Sequence, residues 1–309
     1  MARPVAACLD DDSYKWSKRR DETTMGITRY DEVGYWSELK LDIVRKYAQA
    51  YSTVLSKDAR IRRYIYIDAF AGPGIHISKQ TREFIPGSPL NALNVCPPFS
   101  EYHFIDLDGD KAKHLRELTE GDPSVTVYNG DCNQILREQV FPPARYTDYH
   151  RALCLLDPYA LNLDWKVIQT AGPMQSVEIF LNLMVMDMHM NILWRKPEDV
   201  SPAQLARMNV FWGDDSWRHR LYCKPKGLLP GFEKMEEKVS NAAVAEAYRE
   251  RLQQVAGFAY VPAPMPMLVA RLSITCSLHR LTGRGRRSYP TSLTGTVKGG
   301  PFDGDMLGH

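Results

Sequence analysis

The spacing of hydrophobic positions changes along the chain and predicts alternating helices and strands. Between residues 36 and 55, apolar residues recur every three or four positions with charged residues between them, which predicts an amphipathic helix. Short β-branched and aromatic runs follow and predict strands at 63–69, 102–106, 125–128, 152–156 and 177–183. Helical segments separate these runs. We therefore expect an α/β fold with a mostly parallel sheet and helices on both of its faces.

The same pattern divides the chain into four regions. We expect residues 1–33 to form a polar arm and residues 34–186 to form a Rossmann-like core, which the strand-end residues described below identify as the expected cofactor-binding part. Residues 187–262 are helical and more polar, as expected for an insertion or lid over the carboxyl ends of the strands. Residues 263–309 are an atypical tail without periodicity. Within the arm, the run KWSKRR at 15–20 is either a solvated surface or a phosphate-contacting segment whose Trp16 stacks on a base.

Composition narrows the class of protein. The 39 Lys and Arg residues nearly balance 37 Asp and Glu, which argues against a wholly basic nucleic-acid binder but leaves room for a local basic face. The six cysteines include no CxxC pair, so we expect reduced thiols rather than a disulfide framework or a zinc site. The chain shows neither a secretory signal nor an apolar run of membrane-spanning length, and we expect a cytoplasmic protein that contacts no membrane.

Acidic residues follow four of the predicted strands. Asp68, Asp106, Asp131 and Asp157 each stand at or just beyond a strand end. Ligands of open parallel sheets bind outside the carboxyl ends of the strands. Four carboxylates at that edge predict a pocket for a ligand that is rich in hydroxyl and amino groups.

The first of these strands leads into the glycine turn DAFAGPG at 68–74. A dinucleotide site would need GxGxxG, but Ile77 stands at the third glycine position, and the chain contains no GxxxxGK[ST] phosphate loop. The turn instead suits S-adenosylmethionine. Asp68 would meet the amino group of its methionine part directly or through water, while Phe70, Gly72 and Gly74 line the approach of that part.

The second and third acids suit the nucleoside of such a ligand. Asp106 is expected to accept the ribose hydroxyl protons. A calcium loop is the alternative, with its ligands at Asp106, Asp108, Asp110 and Glu117, but Lys111 stands where such a loop needs a glycine. Asp131 is expected either to meet the adenine amino group or to cap a helix, and the two roles are compatible.

The fourth acid lies where a methyl acceptor would approach. The run Asp157-Pro158-Tyr159 is similar to the D-P-P-Y turn of amino-methylating enzymes but has one proline fewer. We expect Asp157 to accept a hydrogen bond from the acceptor amine and Tyr159 to stack on its ring. These two residues are the catalytic candidates, and no metal ligand is predicted.

Seven longer stretches of the chain carry a resemblance to a known family. They are WSELKLDIVRKYAQAY (36–51), YIDAFAGPG (66–74), GSPLNAL (87–93), YHFIDLD (102–108), LLDPYALNLDW (155–165), IFLNLMVMDMHMNIL (179–193) and FWGDDSWR (211–218). These stretches resemble the three-Cys-motif partner (TcmP) family of prokaryotic proteins. The resemblance implies a class I S-adenosylmethionine-dependent methyltransferase fold and pairing with a three-Cys-motif protein that is similar to radical S-adenosylmethionine proteins. A nucleic acid or nucleotide is the expected acceptor, and a non-catalytic scaffold for that partner is the alternative.

The carboxyl-terminal part departs from the family. After about Pro266 the family continues with apolar strand and helix sequence, whereas this chain becomes rich in glycine and arginine. Our hypothesis is a shifted reading frame beginning near residues 265–268. It predicts that the last strands are missing and that a sheet edge is exposed. The alternative is a native basic tail that contacts nucleic-acid phosphates through residues 284–287.

Overall fold

A computed structural model describes residues 30–223, 237–267 and 271–276 of the chain. Its strands are β1 (Glu32–Val33), β2 (Arg63–Asp68), β3 (Ile75–Ser78), β4 (Phe84–Pro86), β5 (Glu101–Asp106), β6 (Val125–Asn129), β7 (His150–Leu156), β8 (Val177–Leu183), β9 (Tyr222–Cys223), β10 (Glu237–Lys238), β11 (Met265–Met267) and β12 (Arg271–Cys276). Its α-helices are α1 (Tyr35–Leu55), α2 (Ser88–Leu93), α3 (Gly109–Leu118), α4 (Cys132–Ile135), α5 (Trp165–Met174), α6 (Val185–Asn191), α7 (Pro202–Trp212), α8 (Trp217–Arg220) and α9 (Asn241–Gln254). A π-helical turn, Leu136–Val140, continues α4, and a 3-10 turn spans Pro197–Asp199.

The main sheet has the order β11–β12–β8–β7–β2–β5–β6. Strands β8, β7, β2, β5 and β6 pair in parallel, with β2 at the centre. Strand β12 runs antiparallel to β8, and β11 runs antiparallel to β12. Together with its helices, this order confirms the expected Rossmann-like class I methyltransferase fold, a mostly parallel α/β sheet.

Helices cover both faces of the sheet, as the hydrophobic pattern predicted. On one face, α1 buries Leu41, Val44 and Ala48, while its Tyr47 ring packs edge-on against Phe180 of β8. On the other face, alternate strand residues form a continuous core with α5, α7 and α9. Because both faces are covered, β7 and β8 are buried along almost their whole length, which explains their nearly continuous apolar sequences.

A small second sheet follows the glycine turn and was not predicted. Strands β3 and β4 form a hairpin, and β1 pairs in parallel with β3. The end of the polar arm is therefore a strand, because Glu32 and Val33 find backbone partners at Ile77 and Ser78. The arm boundary at residue 33 is corrected to that extent. The basic run at 15–20 lies outside the described residues.

In the region 187–262, the described residues (187–223 and 237–262) are mostly helical, and β9 and β10 add a short antiparallel pair. Within 263–309, the shifted-frame hypothesis predicts that the last strands are missing, but the structure describes two strands there, β11 and β12. The β12 backbone pairs with β8 from Leu272 to Cys276, and β11 covers the outer edge of β12. Because β12 is present, β8 is paired on both sides, with β7 and with β12, and its edge is not exposed. Residues 284–287 lie outside the described residues.

Two further expectations concern the thiols and the membrane. Cys132, Cys154 and Cys223 are free thiols. Cys96 is disulfide-bonded, so the expectation of reduced thiols throughout is wrong at Cys96. Among the described helices, none combines the length and apolar character needed to cross a membrane.

Candidate functional site

A cleft of about 1090 Å³ opens at the carboxyl ends of the parallel strands. Three of the four strand-end acids, Asp106, Asp131 and Asp157, line it. Walls come from the start of α1, from the loop after β7, and from Arg207 and Val210 of α7. The region 187–262 thus contributes to the cleft through α7, and the cleft lies where open parallel sheets bind their ligands.

The glycine turn and two acids make one end of this cleft, which we call the glycine-loop end (Gly72, Asp106 and Asp131). The Gly72 N–H donates to Asp106 Oδ2 at 2.7 Å, and the Asp108 N–H donates to Asp106 Oδ1 at 2.8 Å. Gly72 adopts φ +64°, a left-handed conformation that favours glycine. A carboxylate has about four lone-pair positions. Asp106 therefore retains acceptor capacity toward the cleft after it has fixed the glycine turn.

Asp131 caps α4, which confirms one of its two expected roles. Its Oδ1 accepts from the Asn133 N–H at 2.9 Å and from Asn133 Nδ2 at 2.9 Å. Within the described part of the chain, Oδ2 has no hydrogen-bond donor. Asn133 Oδ1 in turn accepts from the Asp164 N–H at 2.7 Å, which ties the loop after β7 to the start of α4.

Asp68 lies beneath the cleft rather than on its surface. The residue is fully buried and is not among those that line the cleft. Its Oδ1 accepts from the Phe70 N–H at 3.2 Å, whereas Oδ2 is buried without a partner among the described residues. Burial raises the pKa of Asp68 to about 7, and the nearby Ser88 hydroxyl and the Phe70 N–H partly oppose that rise. The expected contact of Asp68 with a ligand amino group, directly or through water, stays a prediction, and the burial of the side chain favours the water-mediated form.

The two other candidate residues of the glycine turn, Phe70 and Gly74, also differ in whether they line the cleft. Phe70 is half-buried and lines the cleft, as expected. Gly74 does not line it. A Cβ on Gly74 would lie 2.9 Å from Leu115 Cδ1 and 3.3 Å from Leu118 Cδ1, and its φ is +84°. The structure therefore requires glycine at position 74 for packing against α3, and the expected contact of Gly74 with a ligand stays a prediction.

The opposite end of the cleft holds an ion pair, and we call it the lysine end (Lys40, Asp157 and Asn182). Lys40 Nζ of α1 bonds to Asp157 Oδ2, and the two side chains are only 12% and 26% exposed. Asn182 Nδ2 of β8 donates to Asp157 Oδ1 at 2.6 Å. Both oxygens of Asp157 are thus engaged by other side chains, and its negative charge is matched by the Lys40 ammonium.

Tyr159 stands at the mouth of the cleft. Its side chain is 84% exposed, and it lines the opening two residues after Asp157. An exposed ring at this position has a face available for a planar group, and its stacking on an acceptor stays a prediction. The structure brings Phe70, Gly72, Asp106, Asp131, Asp157 and Tyr159 to one cleft, and leaves Asp68 and Gly74 outside its lining.

Several residues of the cleft were missed by the sequence reasoning. Lys40 lies 117 positions before Asp157, in a helix whose sequence predicts only an amphipathic helix that covers the sheet. The spacing of the two residues therefore did not predict that they pair. His76 on β3 also lines the cleft, and burial lowers its pKa. Lys111 bonds to Asp31 at 2.6 Å and so closes the edge of the cleft beside β1. The sequence shows which residues share a face of α1, but the residues of other elements that this face contacts are known only from the folded structure.

The metal alternative receives no support in the described part of the chain. No group of three His, Cys, Asp or Glu side chains there is arranged to hold a metal ion. Asp108, a member of the calcium alternative, instead caps α3, and its Oδ1 accepts from the Asp110 N–H at 2.9 Å. The run after β5 is therefore a helix start.

Comparisons with known proteins give structural likeness only. No protein-family model matches the chain, and no curated protein matches it. A SAM-dependent methyltransferase from Leishmania major is similar at 10% identity, over 78% of this chain and 82% of its own, with a TM-score of 0.35. The DszA carbon methyltransferase is similar at 12% identity, over 77% and 53%, with a TM-score of 0.37. At these values the fold assignment rests on the strand order described above.

Proposed function

We propose that this chain is a methyltransferase-like protein that binds S-adenosylmethionine in the cleft, belongs to the three-Cys-motif partner family, and acts on a nucleic acid or nucleotide with its three-Cys-motif partner. The observation that carries the proposal is the glycine-loop end. There a strand-end carboxylate, Asp106, fixes a left-handed glycine turn through the Gly72 N–H and keeps acceptor capacity in a cleft that Asp131 also lines.

The residues fit the chemistry of this cofactor. Its ribose hydroxyls need acceptors, and Asp106 has lone pairs that the Gly72 and Asp108 amides do not use. The adenine amino group of the cofactor needs a further hydrogen-bond acceptor, and Asp131 Oδ2 suits that role. The absent side chain at Gly72 leaves backbone room for the methionine part. Asp68, buried below with an unpartnered oxygen, supplies an acceptor or a negative charge from beneath the turn.

Methyl transfer from a sulfonium needs chiefly alignment of the acceptor with the methyl group. Tyr159 would stack on the acceptor ring at the mouth of the cleft and hold it in place. Asp157 would accept a hydrogen bond from the acceptor through lone pairs that Lys40 and Asn182 do not use. The fold of the loop after β7, tied to α4 by Asn133, keeps both residues at the cleft.

A non-catalytic scaffold for the three-Cys-motif protein is the second candidate. The observation that favours it is the lysine end, because the Asp157 carboxylate already holds an amine, that of Lys40. A nicotinamide dehydrogenase is disfavoured, since the hairpin β3–β4 follows the glycine turn where a dinucleotide site needs a helix N-terminus for the pyrophosphate.

Calorimetric titration of the full chain tests the proposal. S-adenosylmethionine and its demethylated product, S-adenosylhomocysteine, are each expected to bind at one site with micromolar affinity, and NAD is expected not to bind. A folded sample that binds neither adenosyl ligand would overturn the proposal of a cofactor site, and the non-catalytic scaffold would then be the remaining candidate function. Methyl transfer from radiolabelled cofactor to total tRNA or DNA then separates enzyme from scaffold.

A further inference from the structure

The Lys40–Asp157 pair differs from the other ion pairs of α1. On the same helix, Lys46 pairs with Asp42 at 2.7 Å, but those side chains are 53% and 38% exposed. Lys40 and Asp157 are much less exposed, and both line the cleft. Asn182, fully buried in β8, holds the second oxygen of Asp157. The pair is therefore a fixed part of the cleft wall and not a solvated surface contact.

The sheet order sets the pair beside the glycine turn. β2 lies between β7, which leads to Asp157, and β5, which ends at Asp106. Neighbouring strands are about 4.8 Å apart, so a ligand that reaches from Asp106 across the turn spans roughly 10 Å and arrives at Asp157. Charges of the lysine end therefore act on the far end of any such ligand at short range.

We propose that Lys40 is a specificity-determining residue whose ammonium cancels the Asp157 charge, so that the cleft binds the cationic sulfonium and the neutral thioether forms of the adenosyl ligand with similar affinity. This inference rests on the proposed function. The two forms differ in one methyl group and one positive charge. With the pair intact, the lysine end carries no net charge and gives neither form an electrostatic advantage.

Removing the charge of either Lys40 or Asp157 leaves the charge of the other residue unpaired. In Lys40→Met, Asp157 becomes an unpaired anion that attracts a sulfonium and leaves a thioether unaffected. In Asp157→Asn, Lys40 becomes an unpaired cation that repels the sulfonium. The cleft walls reduce access of water, so each unpaired charge acts more strongly here than at an exposed position such as Lys46.

The test measures the ratio of the Kd of S-adenosylhomocysteine to the Kd of S-adenosylmethionine by calorimetry on the full chain. The ratio is expected within about threefold of one in the unaltered protein, about tenfold higher in Lys40→Met, and about tenfold lower in Asp157→Asn. The double variant and Lys40→Arg are expected to return it to the starting value. Lys46→Met is the matched control and leaves it unchanged. Each shift shrinks as salt is raised.

The outcomes are distinguishable. If both ligands bind the unaltered protein but the ratio does not move in opposite directions in the two single variants, the role of Lys40 is wrong and the proposed function stands. If neither ligand binds a folded sample, the proposed function fails and this inference fails with it. Thermal unfolding of every variant identifies any change that comes from loss of folding. If one of the two single variants does not fold, the direction of the shift in the other carries the comparison.

Discussion

The two ends of the cleft both place a carboxylate at a strand end, yet they hold it in different ways. At the glycine-loop end, backbone N–H groups of Gly72 and Asp108 fix Asp106. At the lysine end, side chains from a distant helix and a neighbouring strand fix Asp157. Backbone donors leave the negative charge of Asp106 in place for a ligand, whereas Lys40 cancels that of Asp157. The position of a carboxylate in the fold therefore does not determine the charge that it presents.

A buried carboxylate beneath the glycine-loop end gives the largest expected effect. The pKa of Asp68 is raised to about 7, so the folded chain keeps a proton that the unfolded chain releases at lower pH. The free energy of unfolding therefore falls as pH rises from about 4 to about 7, and this loss is complete above the folded pKa. Asp68→Asn removes the titration. Relative to Asp68→Asn, the unaltered protein is expected to lose roughly 3 kcal/mol between about pH 5 and about pH 8.

Denaturant unfolding of both proteins at the two pH values measures this difference. Because all other titrating groups are common to both proteins, their contributions cancel in the comparison. A difference in stability that stays the same at both pH values would show that Asp68 ionises normally in the folded chain, and it would place the residue in contact with water.

The core of this arrangement could be predicted from the sequence. The parallel strands follow from the short apolar runs that begin with RYIYID, and the convergence of Asp106, Asp131 and Asp157 follows from the rule that ligands bind at strand carboxyl ends. The remaining features depend on tertiary contacts. The burial of Asp68 and the pairing of Lys40 with Asp157 join elements far apart in sequence. The packing role of Gly74 was not predicted, because a glycine needed for packing and one needed for a ligand look alike in a motif.

The difference between Gly72 and Gly74 gives the next prediction. Alanine in a left-handed conformation costs about 1 kcal/mol at either position. Gly74→Ala also pushes a Cβ against Leu115 of α3, whereas the nearest atom at Gly72 is His76 Cε1 at 3.8 Å, an ordinary contact. Gly74→Ala is therefore expected to destabilise the chain by roughly 2 kcal/mol more than Gly72→Ala.

Thermal unfolding ranks the stabilities of the two glycine variants, and cofactor titration ranks their affinities. At a temperature where both variants are folded, Gly72→Ala is expected to weaken binding of the cofactor and Gly74→Ala to leave it near that of the unaltered chain. The reverse ranking of affinities would return Gly74 to the ligand site.

Tyr159 gives the smallest expected effect, on the acceptor rather than the cofactor. Stacking on a base contributes about 1–3 kcal/mol, so Tyr159→Ala is expected to weaken binding of a single-stranded oligonucleotide about tenfold. Tyr159→Phe keeps the ring and is expected to retain most of the affinity. Tyr149, also exposed but placed before the amino end of β7, is the matched control. Fluorescence anisotropy measures the affinities, and equal losses in Tyr159→Ala and Tyr149→Ala would remove Tyr159 from the acceptor site.

The central claim is that the Asp106 carboxylate binds the ribose of an adenosyl ligand, and calorimetry of one pair of variants tests it most directly. Asp106→Ala removes charge-assisted hydrogen bonds and the anchor of the Gly72 amide, so S-adenosylmethionine is expected to bind at least about 100-fold more weakly. Asp110→Ala removes an exposed acid four residues later that does not line the cleft, and the affinity is expected to be unchanged. Equal affinities of Asp106→Ala and the unaltered chain would contradict the account.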